Sequence, residues 1–185
     1  MTPPMTDREQ HLVELVDQAG TAVGSCTVAR AHRVPGLAHR AFSILLVDPA
    51  GRLLLQRRAA TKTRFAGLWA NACCGHPAPG DDLMFAATRR LREELGVSGT
   101  PLTEIGVHRY RADDPGTGRV EHEHDHVLVG SLAADQHLQP DPSEIAEIRW
   151  MPPKELAADV ASFPDRYTPW LPGLLAIWQA TRPVG

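Results

Sequence analysis

Residues 70–97 read ANACCGHPAPGDDLMFAATRRLREELGV, and this stretch decides the fold. Its second half predicts a helix over residues 83–95, because Gly80-Asp81-Asp82 can cap the start of that helix and Gly96 can end it. Its first half gathers two adjacent cysteines, a glycine and a histidine just ahead of the helix. The task of these cysteines is therefore the first question that the sequence raises.

The cysteines are Cys26, Cys73 and Cys74, an odd number whose close pair is adjacent in sequence, which is poor geometry for an ordinary disulfide. No CxxC pair is present, and this excludes a four-thiolate zinc site. We therefore expect reduced thiols. At Cys73 and Cys74, both chemical reactivity and plain burial remain open.

Length and charge limit the classes of protein to which the chain can belong. At 185 residues it can bury a sizeable core, and we expect one domain over residues 1–185. The formal charge of -3 gives no basic stripe for a phosphate backbone, which argues against a nucleic-acid partner. No apolar run approaches the ~20 residues of a membrane helix, and MTPPMTDREQ at the start lacks the regions of a signal peptide. We expect a cytoplasmic monomer without membrane contact, with residues 1–9 disordered.

The pattern along the chain predicts an α+β fold. Residues 11–28 and 41–58 each read as a hairpin, with strand-like runs on both sides of a turn. Three later segments read as strands, namely LTEIGVHRYR, VEHEHDHVLVGSL and IAEIRWM, and two as helices, namely PKELAADVAS and PWLPGLLAIWQAT. The order of strands, helix, strands and helices favours a mixed or antiparallel sheet between helices.

The run Glu121-His122-Glu123-His124-Asp125-His126 is unusually rich in possible metal ligands. On a strand, residues two apart face the same side, so the three carboxylates share one face and the three imidazoles share the other. Either face could hold a metal. The alternative is a solvated strand edge of alternating charge, and the run by itself leaves both open.

The spacing from Gly75 to Val97 resembles a Nudix box: a glycine, five residues, an acidic residue, seven residues and then RRLREELGV. The standard box has glutamate where Asp81 and Arg90 stand. Paired carboxylates beside a glycine loop suit Mg²⁺, which prefers oxygen ligands and bridges to substrate phosphates. An ordinary amphipathic helix with a charged face would explain the same residues.

Further motifs extend the resemblance to the type I isopentenyl-diphosphate delta-isomerases, which have a Nudix-like fold. The motifs are the pair His32 and His39, HRAFSILL, LLLQRRAATKTRFAGLWANACCGHP, RRLREELGV, RYRADDPGTGRVEHE and Thr168-Pro169-Trp170. They follow the family's order between residues 24 and 170. The resemblance implies a mixed sheet sandwiched between helices, and isomerisation of isopentenyl diphosphate to dimethylallyl diphosphate through a tertiary carbocation in isoprenoid biosynthesis.

The resemblance also implies roles for individual residues. The metal ligands would be His32, His39, His76, Glu121 and Glu123, a mixed N/O set suited to Mn²⁺, Mg²⁺ or Zn²⁺. Glu94 would hold the Mg²⁺ that arrives with the diphosphate of the substrate.

The resemblance also implies what the two cysteines do. Cys74 stands where the family has a catalytic acid/base, and Cys73 would only pack in the core. Glu123 would be the second acid/base, with Tyr110 near its carboxylate. Trp170 would lay its indole against the carbocation. Arg58, Lys62 and Arg90 would neutralise the diphosphate.

One position departs from the family, which usually has a lysine four residues before its first ligand histidine. Here that position is Val28. A strand would send Val28 and Arg30 to the same side, so we expect Arg30 to bind diphosphate instead. The departure could also mark a longer prenyl diphosphate that is protonated and then isomerised or cyclised.

Two other hypotheses are weaker. A Nudix pyrophosphohydrolase is disfavoured because Arg90 replaces a metal-binding glutamate and leaves the cysteine and histidines without a task. A binding module without catalysis is disfavoured because every implied catalytic and ligand position carries a competent residue.

Overall fold

A mixed sheet organises residues 8–133 and 135–182, which are the residues described by the computed structural model. The strands of this part of the chain are β1 (Leu12–Val16), β2 (Ala22–Thr27), β3 (His39–Val47), β4 (Leu53–Arg58), β5 (Trp69–Asn71), β6 (Cys73–Gly75), β7 (Leu102–Asp114), β8 (Arg119–Ser131) and β9 (Ile145–Met151). The helices are α1 (Val28–Ala31), α2 (Leu83–Leu95), α3 (Pro153–Ser162) and α4 (Leu171–Ala180), with a 3-10 turn at Pro164–Arg166.

Strand β3 is the hub of the sheet. It pairs in parallel with β8 from His39↔Glu123 to Val47↔Ser131, and antiparallel with β1, β4 and β6. The sheet continues from β8 to β7 and from β4 to β5 and β9, always antiparallel. The site residues on β3, β6 and β8 are therefore next to one another in the sheet.

Helices cover both faces of the sheet, as the sequence predicts. On one face α2 packs against a core that includes Ile44 and Leu46 of β3. On the other face α3 and α4 pack against a core that includes Leu45 of the same strand. Successive strand residues point to opposite faces, which is why β3 reads as a nearly continuous apolar run.

Helix α2 begins and ends where the sequence predicts. Asp82 caps it by accepting a hydrogen bond on Oδ1 from the Phe85 amide at 2.8 Å, and Gly96 ends it in the left-handed region with φ 68°. Leu91, Glu94 and Leu95 are among the buried residues of this helix. None of the helices in the described residues combines the length and the apolar character that crossing a bilayer requires.

Both predicted hairpins, the later strands and the terminal helices are confirmed. The strand predicted at residues 28–30 is wrong, because α1 starts there with Thr27 Oγ1 accepting a hydrogen bond from the Arg30 amide at 3.3 Å. Strands β5 and β6 were not predicted. Disorder was predicted for residues 1–9. Residues 1–7 lie outside the described residues, and the other two, Arg8 and Glu9, both form ion pairs.

The packing of α2 yields a stability prediction. Leu91 is 1% exposed in the core, so Leu91→Ala should lower the free energy of unfolding by about 2 to 5 kcal/mol, measured by urea denaturation. Arg92→Ala is the control, since Arg92 is exposed on the same helix and its loss should cost under about 0.5 kcal/mol. Equal effects of the two changes would contradict this packing.

Candidate active site

A cavity of about 560 Å³ collects residues that are distant in sequence. Its wall includes Cys74 of β6, Tyr110 of β7, Glu123 of β8 and Trp170 just before α4. These are the four residues to which the resemblance assigns catalytic roles. They face one space.

Three histidines and two glutamates form a compact cluster beside this cavity. His32 follows α1, His39 begins β3, His76 follows β6, and Glu121 and Glu123 lie on β8. Each offers one nitrogen or oxygen, and these five atoms all lie within 4.8 Å of one another. Such a set of imidazole and carboxylate donors fits one divalent transition-metal or magnesium ion.

The orientation of two imidazoles supports that fit. His32 Nδ1 bonds to the Val28 carbonyl oxygen at 2.7 Å, and His39 Nδ1 bonds to the Leu37 carbonyl oxygen at 2.7 Å. These bonds hold Nδ1 of each ring against the backbone and turn Nε2 toward the cluster. Ligand histidines in metal sites are commonly held in this way.

Burial and hydrogen bonding set the charge of the cluster. Burial alone would raise the pKa of Glu123, but the imidazole of His39 at 3.7 Å and the hydrogen bond with His76 at 2.9 Å hold it well below its ordinary value. Burial disfavours the imidazolium form of His76 and lowers its pKa to about 4. Glu123 and His76 are therefore an ionised carboxylate and a neutral imidazole, which are the forms that bind metal.

The alternation along β8 explains why the carboxylate face holds the cluster. Glu121 and Asp125 are buried, and Glu123 lies between them on the same side of the strand. His122, His124 and His126 do not belong to the cluster. The alternative of a solvated strand edge is wrong, because Asp125 is 0% exposed and accepts a hydrogen bond from Ser43 Oγ at 2.7 Å.

The adjacent cysteines lie on opposite faces of β6. Cys73 packs in the core on the α2 side, whereas Cys74 lines the cavity. The Cys74 thiol donates to Asn71 Oδ1 at 3.3 Å and contacts Ser43 Oγ at 3.5 Å. Burial, followed by the nearby Asp125 carboxyl, raises the pKa of Cys74 to about 12, so this thiol keeps its proton at neutral pH.

Tyr110 and Trp170 have defined orientations. The Tyr110 hydroxyl donates to Glu123 Oε2 at 2.7 Å, and the Trp170 indole donates from Nε1 to Asn71 Oδ1 at 3.1 Å. The ring of Phe65 meets the indole edge-on, with 5.3 Å between centroids. Asn71 therefore fixes both the thiol and the indole, a role that its place three residues before Cys74 does not predict.

A cationic end of the cavity carries the predicted diphosphate ligands. Lys62 Nζ lies 2.5 Å from Glu144 Oε2, and Arg90 Nη2 lies 3.1 Å from the same oxygen. Arg90 Nη2 also lies 2.5 Å from Glu94 Oε1. Glu144 was not predicted, because no motif marks it and it meets these cations only in the folded chain.

Arg58 differs from the other cations of the cavity. Its guanidinium donates to the backbone carbonyl oxygens of Arg64 at 2.9 Å and Phe65 at 3.2 Å, and it lies 5.6 Å from the centre of the Trp170 ring. Its charge is buried against neutral acceptors. Within the described ranges no carboxylate is bonded to Arg58, so its guanidinium could bind an anion in the cavity without breaking an ion pair.

Comparison with known proteins assigns the family. A NUDIX domain matches residues 37–171. Isopentenyl-diphosphate Delta-isomerase of Nocardia farcinica is 62% identical over 168 residues, which cover 91% of this chain and 94% of that protein. The protein of the same name from Streptomyces coelicolor is 44% identical over 175 residues, covering 95% and 85%. The chain belongs to the isopentenyl-diphosphate Delta-isomerase family.

Membership in the isopentenyl-diphosphate Delta-isomerase family confirms the resemblance seen in the motifs. The Nudix-like fold is confirmed as well. The crystal structure of DR0079 from Deinococcus radiodurans matches with a TM-score of 0.71 and covers 93% of this chain and 100% of that chain. At 20% identity, this likeness concerns the fold alone.

The geometric argument for Arg30 is wrong. Because residues 28–31 are helical, Val28 and Arg30 point in different directions. Val28 is buried and lines the cavity, whereas Arg30 is exposed and lies outside the cavity wall. The structure gives no support to a contact between Arg30 and a diphosphate in this member of the isomerase family.

The cluster yields a prediction about metal content. Wild-type protein loaded with Mn²⁺ or Zn²⁺ should retain a stoichiometric ion on desalting, and His39→Ala should lose it, since one of five donors is gone. We expect affinity to fall by more than the roughly 10- to 100-fold that loss of an outer-shell partner costs. Elemental analysis measures the ion. His126→Ala, on the face of β8 opposite to the cluster, is the control, and equal losses would exclude this cluster as the site.

Proposed function

We propose that the chain isomerises isopentenyl diphosphate to dimethylallyl diphosphate. The name of its relatives supports this reaction. One observation carries the proposal for this chain: a protonated thiol, Cys74, and an ionised carboxylate, Glu123, line the same cavity. Two titratable groups whose pKa values are driven apart are suited to act as acid and base.

The two groups fit the two proton transfers of the reaction. Cys74 donates its proton to the terminal CH₂ carbon of the alkene, so that an S–H bond breaks, a C–H bond forms and a tertiary cation arises at C3. Glu123 then accepts a proton from C2, and the electrons of that C–H bond form the new double bond. Exchange of protons with water returns both residues to their starting forms.

Neighbouring side chains stabilise the charges that develop. Trp170 places an aromatic ring against the cation, a contact worth about 2 kcal/mol when desolvated. Tyr110 donates to Glu123 Oε2 and so orients the carboxylate and leaves Oε1 on the side of His76. Cys74 and Trp170 share Asn71 Oδ1, which holds the acid and the aromatic ring in one arrangement.

The cationic end of the cavity receives the diphosphate in this proposal. Arg58 and Arg90 would bind it through their N–H groups and Lys62 through its ammonium. When bound, Mg²⁺ at Glu94 would neutralise the diphosphate, and Mn²⁺, Mg²⁺ or Zn²⁺ at the cluster of three histidines and two glutamates would supply positive charge beside Glu123.

The reaction is tested by incubating the purified chain with isopentenyl diphosphate and Mg²⁺ in D₂O. We expect dimethylallyl diphosphate with deuterium in a methyl group, identified by NMR. Release of phosphate in place of an isomer would favour a pyrophosphohydrolase. Faster consumption of geranyl or farnesyl diphosphate would favour the diverged relative that Val28 suggests.

The choice of cysteine gives a mutational prediction. Cys74→Ser should lower kcat by about 10²- to 10⁴-fold, because a hydroxyl is a much weaker acid than a thiol. Circular dichroism should show an intact fold. Cys73→Ser should keep most of kcat, since its side chain lies in the core, away from the cavity. Equal loss of kcat in both variants, with normal stability, would reject Cys74 as the acid.

A further inference from the structure

The described part of the chain begins with residues that cover the active-site cavity. Arg8, Glu9, His11 and Leu12 all belong to its wall, together with Lys62 and Arg90. We propose that Arg8 is a further substrate-binding residue, whose guanidinium contacts the diphosphate, and that Glu9 positions it. This inference rests on the proposed function, because it names the group that the cationic end of the cavity receives.

Arg8 joins the same group of charges as Lys62 and Arg90, which are two of the predicted diphosphate ligands. Its Nη1 lies 3.1 Å from Glu144 Oε1, while Lys62 and Arg90 both contact Oε2 of that carboxylate. One carboxylate thus holds three cations at one end of the cavity. Of these three cations, Arg8 comes from the N-terminal segment, which is residues 8–12.

The balance of charge favours an anion at this place. Arg8, Lys62 and Arg90 have side chains that are 23%, 20% and 13% exposed, and the buried carboxylates that face them are Glu144 and Glu94. Among these buried and partly buried groups, the three cations outnumber the two carboxylates, although Glu93 also lies 3.4 Å from Arg90 Nη1. Glu93, which Arg8 Nη2 approaches at 3.8 Å, is 41% exposed and is screened by water.

The guanidinium of Arg8 has donors to spare. A guanidinium carries five N–H groups, and its contacts with Glu144 and Glu93 engage one terminal nitrogen each, the second only at ion-pair distance. Paired N–H groups match two oxygens of a phosphate group. Arg8 can therefore take a diphosphate oxygen while Glu144 holds its other side.

The backbone fixes the N-terminal segment above the cavity. The amide of Ala29 donates to the Glu9 carbonyl oxygen at 3.0 Å, and the amide of Val28 donates to the His11 carbonyl oxygen at 2.8 Å. These bonds dock the segment on the start of α1. Val28 lines the cavity without contributing a charge, and the segment docked beside it contributes the charge of Arg8.

The side chain of Glu9 fixes the segment at a second set of points. Its Oε1 accepts hydrogen bonds from Thr63 Oγ1 at 3.0 Å and Arg64 Nη1 at 2.9 Å, and its Oε2 accepts one from Arg119 Nη1 at 3.2 Å. A carboxylate with three donors from two distant elements is a fixed point. Because Arg8 is the adjacent residue, the contacts of Glu9 also fix the position of Arg8.

The test compares Arg8→Ala with wild-type protein in steady-state kinetics and in calorimetric binding of inorganic pyrophosphate with Mg²⁺. We expect KM for isopentenyl diphosphate and Kd for pyrophosphate to rise about tenfold to a hundredfold, the loss of a charge-assisted hydrogen bond, while kcat stays close to wild type. Arg8→Lys should give KM and Kd values between those of wild type and Arg8→Ala, because lysine keeps the charge but lacks the paired N–H groups of a guanidinium.

Matched controls separate this role from a general loss of charge. Arg33 is exposed and lies outside the cavity wall, so Arg33→Ala should match wild type in both assays. Unchanged KM and Kd in a folded Arg8→Ala protein would overturn the proposal. So would a rise of both constants in Arg30→Ala with none in Arg8→Ala.

The positioning role of Glu9 is tested by a double-mutant cycle. Glu9→Gln should raise KM in the wild-type background and add little in the Arg8→Ala background, since its effect passes through Arg8. An equal rise in both backgrounds would reject that role. If the wild type binds pyrophosphate but fails to isomerise, the proposed reaction is wrong while the pyrophosphate assay still decides on Arg8.

Discussion

The parallel pairing of β3 with β8 is the constraint on which the site depends. Its register puts His39 directly beside Glu123. A slip by one residue would bring His124 beside His39 and turn every side chain of β8 to the other face of the sheet. Apolar residues further along both strands, such as Ile44 beside Leu128 in the core on the α2 side, are buried and oppose any slip. The core of the sheet thus sets the geometry of the cluster.

The buried charges near the cluster are tolerated because each has partners. Glu121 accepts a hydrogen bond from Arg64 Nε at 3.1 Å and bonds to His32 Nε2 at 2.8 Å. Arg64 in turn donates to Glu9. A buried carboxylate without such partners would be costly, so these ion pairs are part of what makes the cluster compatible with a folded chain. They also connect the metal-binding cluster to the N-terminal segment.

The sequence predicts those elements whose signals are local. Helix α2 has a cap at Asp82, a stop at Gly96 and a charged face between them, and its bounds follow from these residues. Strands β5 and β6 have three residues each and no alternation long enough to read, so they escape prediction. The helix at residues 28–31 escapes it because one turn of helix and a short strand look alike in a sequence.

The site itself is predictable only in part. Family motifs bring Cys74, Glu123 and the histidines to attention, because each stands at a fixed offset within a short pattern. Glu144 stands outside these patterns, and Asn71 lies within one, but nothing in the sequence indicates the partners of its side chain. Glu144 meets Lys62 across 82 residues, and Asn71 meets Trp170 across 99, so both contacts depend on tertiary folding.

The burial of Cys74 has a consequence beyond proton transfer. Thiolates react with peroxides and electrophiles far faster than thiols do. A pKa of about 12 leaves almost no thiolate at neutral pH, so the environment that makes Cys74 a proton donor also makes it a slow target for oxidation. The neighbouring Cys73 is fully buried in the core, so a thiol from solvent cannot form a disulfide with it. This pair of adjacent cysteines is therefore suited to persist in its reduced form under oxidative stress.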